Sequence, residues 1–489
     1  MRVLLASSEV FPYSKTGGLA DMVGALGKSL AENGHEVAIL TPLYRGIREK
    51  FPAIAPANYQ FDLLIGDTRV YGQAWRLDVQ ERLTVYFVEQ QEYFDRTGLY
   101  QERAHDYPDN AARFAFLSKA VANFARYHPL KPEVVHIHDW QVGPVPLLIR
   151  HDAAVNGWHD RPATVLTIHN LAYQGTFARD AYALLNLPLD YFNLNGVEFY
   201  TRVNFLKTAI VYSDLLTTVS PRYAREITTE QFGCGLDGVL RQRQESLVGI
   251  LNGVDYTEWN TERNRLLPAQ YSAEDLAGKA EAKKVLQERM GLPQRADVPM
   301  FGTVSRLADQ KGVDIQLAAL EEMLSADMQF ALLGSGSPEY EQGFQRLAKR
   351  HPHKVAIKIG YDHALAHLIE AGSDFFIMPS KFEPCGLNQM YSLRYGTIPI
   401  VRVTGGLDDS VIDVTENPEK ADGIKFYTYS AGALAKAIRK ALALYAHPEW
   451  LERYRLNGMQ ADFSWTQTTG EYLKVYERAQ LARDAAPHP

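Results

Sequence analysis

Short runs of apolar residues alternate with longer helical patterns from one end of the chain to the other. Strands are predicted at 3–7, 36–41, 84–88, 134–138, 164–168 and 216–220. A second series is predicted at 248–251, 301–304, 329–333, 354–359, 375–378 and 398–401. Many of these runs are rich in Val, Ile and Leu without polar alternation, as expected of parallel strands covered on both faces. After the first, Leu19, Met22, Val23, Leu26 and Leu30 recur at helical spacing, and Gly34 supplies a left-handed stop. The alanine- and lysine-rich stretch 273–292 reads as a further helix.

Strand–helix–strand alternation implies an α/β fold with doubly wound sheets. One open sheet rarely carries a dozen strands without splitting or curling, so two such domains are expected. The predicted boundary lies near Glu245, giving an N-terminal Rossmann-like domain over 1–245 and a second over 246–458, followed by a C-terminal segment over 459–489.

Composition narrows the class. The chain has 489 residues, enough to bury large cores without a metal or disulfide staple. Its 51 basic and 58 acidic residues give a net charge of −7, spread without long blocks, so neither a nucleic-acid arm nor a basic membrane face is present. Only two cysteines occur, Cys234 and Cys385, which excludes a disulfide scaffold and suits a reducing compartment. The apolar run Val3 to Ala6 is too short for a signal-peptide core, and no stretch of about 18 apolar residues exists. The expectation is a cytoplasmic protein with no membrane or nucleic-acid partner; the sequence specifies no oligomeric state.

Ligands of open α/β sheets sit beyond the carboxyl ends of the strands, and the unusual residue clusters fall there. Lys15-Thr16-Gly17-Gly18 follows the first strand, His138-Asp139 closes another, and His169-Asn170 the next. Ser305-Arg306 follows Val304, 379–386 follows Met378, and Thr404-Gly405-Gly406 follows Val403. Thr16-Gly17-Gly18-Leu19 recurs as Thr404-Gly405-Gly406-Leu407; the match is either coincidence or a pair of turns in which backbone and a helix N-terminus receive phosphate. An Arg fork at Arg306 with Lys311 suits a diphosphate leaving group, unless the pair is a solvated loop bound to Asp309. Glu383 lies in a loop fixed by Pro379 and Pro384.

Other chemistries are disfavoured. His136 and His138 share one face of their strand while Asp139 points away, with no third ligand cluster, so no metal is expected. Cys385 has no base in its motif and reads as a small wall residue. Gly334-Ser335-Gly336 lacks the third dinucleotide glycine, and Gly27-Lys28-Ser29 falls in mid-helix, so neither hydride transfer nor a phosphate-binding loop is indicated.

Five motifs in order, KTGGLAD at 15–21, HDW at 138–140, THNLAYQG at 167–175, SRLADQKG at 305–312 and PSKFEPCGL at 379–387, resemble bacterial glycogen synthase and plant starch synthase. The resemblance runs to FSWTQTTGEYLKVYE at 463–477. It implies two Rossmann-like domains facing across a cleft, the glycosyltransferase B-type fold, with 459–489 ending in a helix that crosses back to the first domain. It further implies a retaining enzyme that moves glucose from ADP-glucose to the non-reducing end of an α-1,4-glucan, with neither metal nor other cofactor. By the same resemblance Lys15, Gly17, Gly18 and Asp21 meet the nucleotide sugar, and Arg306 and Lys311 the diphosphate. Ser305, Cys385, Gly386, Leu387, Thr404 and Gly405 line the donor, with amides near Gly386 serving phosphate or glucose. Glu383 and His169 contact glucose with Asp139, Asn170 and Asn252 close by, and Tyr361 packs on adenine.

Retention is then explained by acceptor attack on the face that phosphate leaves, with that phosphate taking the acceptor proton. Two departures are visible. Related B-type retaining enzymes often carry a second glutamate eight positions after the first, where this chain has Tyr391. Asn388 stands where a small hydroxyl residue is common, so an altered phosphate contact is expected there. The alternatives are a UDP-glucose-using or other glucan glucosyltransferase, and a non-catalytic glucan-binding relative. Tyr93 and Phe94 are candidate acceptor contacts by aromatic character alone.

Overall fold

The computed structural model describes residues 1–103 and 105–485. The chain forms two compact units, the first of residues 1–219, 224–250 and 465 onward, the second of 220–223 and 251–464.

The first unit is built on a nine-stranded sheet in the order Leu247–Gly249, Leu215–Thr218, Ala163–Ile168, Val134–His138, Arg2–Ala6, Glu36–Pro42, Leu83–Glu89, Thr68–Gln80 and Ala55–Ile65. The first seven run parallel; the last two form an antiparallel extension. Val3, Leu4, Leu5 and Ala6 have no exposed surface, as a strand covered on both faces requires. Helix Gly18–Glu32 buries Leu19, Met22, Val23, Leu26 and Leu30, the stripe expected, and Gly34 stops it at φ 85°. Gly27 in that helix is a packing residue: a Cβ there would lie 2.7 Å from Ile39 Cδ1.

Two findings in the first sheet differ from the sequence reading. The strand expected to open the second series, seen as Leu247–Gly249, pairs with Leu215–Thr218 in the first sheet, and the chain leaves the first unit after Ile250. The long hairpin of Ala55–Ile65 and Thr68–Gln80 is absent from the predicted strands. Its inward and outward positions alternate, so it lacks the unbroken apolar runs of the parallel strands, yet the turn signal Gly66-Asp67 stands between Ile65 and Thr68, with Gly66 at φ 57°.

The second unit holds a six-stranded, wholly parallel sheet ordered Val355–Ile359, Gln329–Gly334, Met300–Val304, Phe375–Met378, Ile398–Arg402 and Ile424–Phe426. Numbered along the chain this is 3-2-1-4-5-6, the doubly wound Rossmann order. Alternate residues feed opposite cores. Phe301, Phe330, Phe375 and Ile400 pack on one face, and Met300, Ala331, Phe376 and Val401 on the other. Helix Trp465–Ala485 belongs to the first unit, where Tyr472, Val475 and Tyr476 are buried.

Candidate functional site

Among the parallel strands of each sheet the chain reverses its direction of strand addition at one point, and the candidate residues gather in the loops beyond it. In the second unit that point lies between Met300–Val304 and Phe375–Met378. The loops that follow are fastened to one another. Lys381 N–H donates to the Gln310 carbonyl at 2.8 Å, and Gln310 Nε2 to the Phe382 carbonyl at 3.4 Å. Gly312, at φ 69°, lies so close to Pro379 that a Cβ would come within 2.0 Å of its carbonyl oxygen. This zipper delivers Lys311 Nζ to Glu383 Oε2 at 2.7 Å. Ser380 Oγ donates to the same oxygen at 2.9 Å, and Glu383 is only 6% exposed.

Arg306 is exposed, and among the described residues no carboxylate lies within ion-pairing reach of it. Asp309, the partner that a purely solvated loop would offer, accepts a hydrogen bond from Tyr340 Oη. Arg306 therefore holds a guanidinium without a fixed counter-charge, in the same loop as Lys311. Beyond Glu383, Gly386 adopts φ 71°, and among the described residues the N–H groups of Gly386 and Leu387 donate to no acceptor. Burial pushes the Cys385 thiol up to about 12, so it is no nucleophile at neutral pH. Asn252 is buried, and among the described residues its Oδ1 has no hydrogen-bond donor. Tyr361 is 85% exposed and offers an open ring face.

The second Gly-Gly turn differs from the first. A Cβ on Gly405 would sit 1.9 Å from the Glu383 carbonyl oxygen, and one on Gly406 would sit 2.0 Å from that of Cys385. Thr404 and both glycines are buried, and their absent side chains let the short helix Gly405–Ser410 press against the Glu383 loop. Asn388 is committed to the fold itself, because its Nδ2 donates to the Val304 carbonyl at 2.7 Å and ties helix Asn388–Arg394 to the end of the first strand of this sheet. The donor expected to meet phosphate is thus engaged within the protein. Tyr391 stacks on Trp259 with ring centroids 3.7 Å apart.

In the first unit the reversal lies between Arg2–Ala6 and Val134–His138. The loop after Ala6 is organised by a residue that the sequence reading missed. Buried Glu9 accepts hydrogen bonds from Thr16 N–H, from Thr16 Oγ1 at 2.6 Å and from Tyr100 Oη at 2.6 Å. A carboxylate following an apolar strand within Ser7-Ser8-Glu9-Val10 was the available signal. Thr16, so held, presents Gly17 and Gly18 at the N-terminus of the first helix. Both are exposed, a Cβ on either would meet nothing within 4 Å, and their N–H groups donate to no acceptor among the described residues. Lys15 Nζ pairs with Asp21 at 2.7 Å.

At the adjoining strand end, Asp139 occupies φ 59° and accepts the His169 backbone N–H at 2.7 Å, and the Asn170 backbone as well. Burial pushes its carboxyl up to about 7. The His169 imidazole, 3.1 Å from His138 Nδ1, is pushed down to about 3 by burial and is neutral at physiological pH. His138 Nε2 is buried and has no hydrogen-bond partner among the described residues. His136 spends one nitrogen on Tyr476 Oη at 2.9 Å and the other on Thr167 Oγ1 at 2.6 Å, which leaves none for a metal. Phe94 is wholly buried against Tyr44 and Phe116, so it cannot touch an acceptor; Tyr93 beside it is partly exposed.

Two Rossmann-like units whose switch-point loops carry unpaired amides, cations and sheltered carboxylates suit a phosphate-bearing ligand, and the comparisons with known proteins make the class a glycosyltransferase. Residues 2–242 match the starch synthase catalytic domain family, and residues 287–457 the glycosyl transferases group 1 family. The chain is 48% identical to a glycogen synthase of Anaeromyxobacter sp., over 97% of this chain and 99% of that one. It is 48% identical to a glycogen synthase of Myxococcus xanthus with the same coverage. Among solved structures, the catalytic domain of starch synthase IV from Arabidopsis thaliana, bound to ADP and acarbose, superposes with a TM-score of 0.87 at 34% identity, covering 98% of this chain and 99% of that one. The chain belongs to the glycogen synthase and starch synthase family of glucosyltransferases.

Proposed function

We propose that the protein transfers glucose, with retention, from ADP-glucose to the non-reducing end of an α-1,4-glucan. The observation that carries this reading is the ion pair of Lys311 with buried Glu383 at a Rossmann switch point, beside an Arg306 with no carboxylate of its own. The starch synthase of similar structure holds ADP and acarbose, a nucleoside diphosphate and a glucan-like sugar, which supports the same pair of substrate classes here.

In this reading Arg306, Lys311 and the Gly386 and Leu387 amides receive the negative charge that grows on the diphosphate as the bond from glucose C1 to oxygen stretches. A preorganised donor of this kind contributes roughly 3–4 kcal/mol to lowering the barrier. Glu383, freed from Lys311 as the diphosphate takes that cation, orients sugar hydroxyls and balances charge on the ring. His169, Asp139, Asn170 and Asn252 hold glucose; the neutral imidazole of His169 acts as a hydrogen-bonding group rather than a cation. Lys15, Gly17, Gly18 and Asp21 contact the donor through open backbone and a charged side chain, and Tyr361 stacks on the base. Ser305, Cys385, Thr404 and Gly405 shape the walls. Attack on the departing face lets the phosphate take the acceptor proton, so no protein nucleophile is required. No cofactor is invoked, and the setting is the cytoplasm, which suits two unpaired cysteines. Among the described residues no helix is long and apolar enough to cross a membrane.

The test is product analysis. A malto-oligosaccharide labelled at its reducing end should lengthen by single glucose units that an exo-acting α-1,4-glucosidase removes. Blocking the 4-hydroxyl of its non-reducing end should stop extension. Growth at the reducing end, or a product of inverted configuration, would overturn the proposal.

A further inference from the structure

Outside the groups assigned to the reaction, the second unit brings together Glu258, His363 and His367, with one ligand atom from each within 4.8 Å of the other two. His363 and His367 stand four apart on helix His363–Gly372, so both imidazoles project from one face. Glu258 Oε1 lies 3.4 Å from His363 Nε2 and 3.8 Å from His367 Nε2. Metal–ligand distances of about 2.0–2.2 Å in a tetrahedral zinc site place neighbouring ligand atoms roughly 3.3–3.5 Å apart, close to the separation of Glu258 from His363.

A second observation points the same way. His367 is 0% exposed, and among the described residues its buried Nε2 has no partner within hydrogen-bond distance and faces Glu258 Oε1 at 3.8 Å. Its other nitrogen, Nδ1, lies 2.8 Å from Tyr395 Oη, an oxygen able to accept its proton, and Asn264 Nδ2 donates to that same oxygen at 2.8 Å. The ring itself is fixed by stacking on Trp259 with centroids 4.0 Å apart. A buried imidazole anchored through one nitrogen, with the other facing a carboxylate, is the arrangement in which outer-shell groups orient a metal ligand.

We propose that Glu258, His363 and His367 form a binding site for a borderline divalent transition metal, zinc being the type case, with water completing the coordination. Two imidazoles and one carboxylate suit Zn²⁺ over the hard cations Mg²⁺ and Ca²⁺, which demand oxygen-rich shells. The metal clips the segment carrying Glu258 to the first turns of the helix that follows Tyr361. It takes no part in the chemical step.

The test uses the full chain, stripped of any affinity tag and of metal by chelation. Titration with Zn²⁺ against a chromophoric chelator should show one tight equivalent, and Co²⁺ should give the visible absorption of a low-coordinate site. His363→Ala and Glu258→Gln, at partly exposed positions where folding is not at stake, should each weaken that equivalent by at least about ten-fold. Mg²⁺ should not compete. No tight equivalent in the unsubstituted chain, or one that persists unchanged in both variants, would overturn the proposal.

Discussion

At the residue scale, Lys311 and Glu383 are 72 positions apart in sequence, and their meeting at 2.7 Å was not readable from either motif alone. What was readable was that both motifs end buried strands. Arg306→Ala and Lys311→Ala should each lower kcat by about two orders of magnitude or more, as for the loss of one preorganised donor. Initial rates at saturating donor decide this, and near-normal turnover in both variants would remove the leaving-group assignment. Asp139 allows a pH test. Burial pushes its carboxyl up to about 7 from an ordinary 3.8. Between those values the folded chain keeps a proton that the unfolded chain has released, so this group's contribution to stability falls as pH rises through that window. Asp139→Asn keeps an acceptor for the His169 N–H and removes the dependence. Its denaturation midpoint should gain on the unsubstituted chain between about pH 5 and about pH 8. An equal offset at both values would contradict burial as the cause.

At the element scale, the two Gly-Gly turns look alike in sequence and do different work. Gly405 and Gly406 are required by the protein's own backbone, because side chains there would strike the carbonyls of Glu383 and Cys385. Gly17 and Gly18 face open space, and Gly17 has an extended φ of −158° that any residue adopts. The fold alone therefore does not call for glycine at the first turn, whereas close approach of a ligand does. Gly406→Ala should destabilise the chain by about 1–3 kcal/mol or more through overpacking. Gly18→Ala, at the start of a helix, should leave thermal stability unchanged or slightly raised while lowering donor affinity. Urea titration and donor KM measured on the same preparations separate the two cases. Full activity in Gly18→Ala would leave the open turn without a ligand-based explanation. Most parallel strands were legible because burial on both faces writes itself as unbroken Val, Ile and Leu; Ile424–Phe426, three residues long, was not. The hairpin of Ala55–Ile65 and Thr68–Gln80 was not, because a sheet edge with one covered face carries a weaker, alternating signal.

At the scale of the whole molecule, the parallel strands of the two sheets are laid down in the same way: each set reverses its direction once, with polar loops beyond that point, and the first sheet adds an antiparallel hairpin at its edge. Sequence could show the alternation and the loops, but not where the chain changes unit. The strand Leu247–Gly249 is short, and whether it closes one sheet or opens the next depends on pairing with Leu215–Thr218, a tertiary fact. Glu9 escaped notice for the same reason, since its partners Thr16 and Tyr100 define its role only once folded. The most direct test of the central claim is an initial-rate comparison of ADP-glucose and UDP-glucose at equal concentrations with glycogen as primer. The account predicts efficient glucan extension from ADP-glucose and much slower extension from UDP-glucose. A clear preference for UDP-glucose, or donor binding with no chain extension from either, would contradict it.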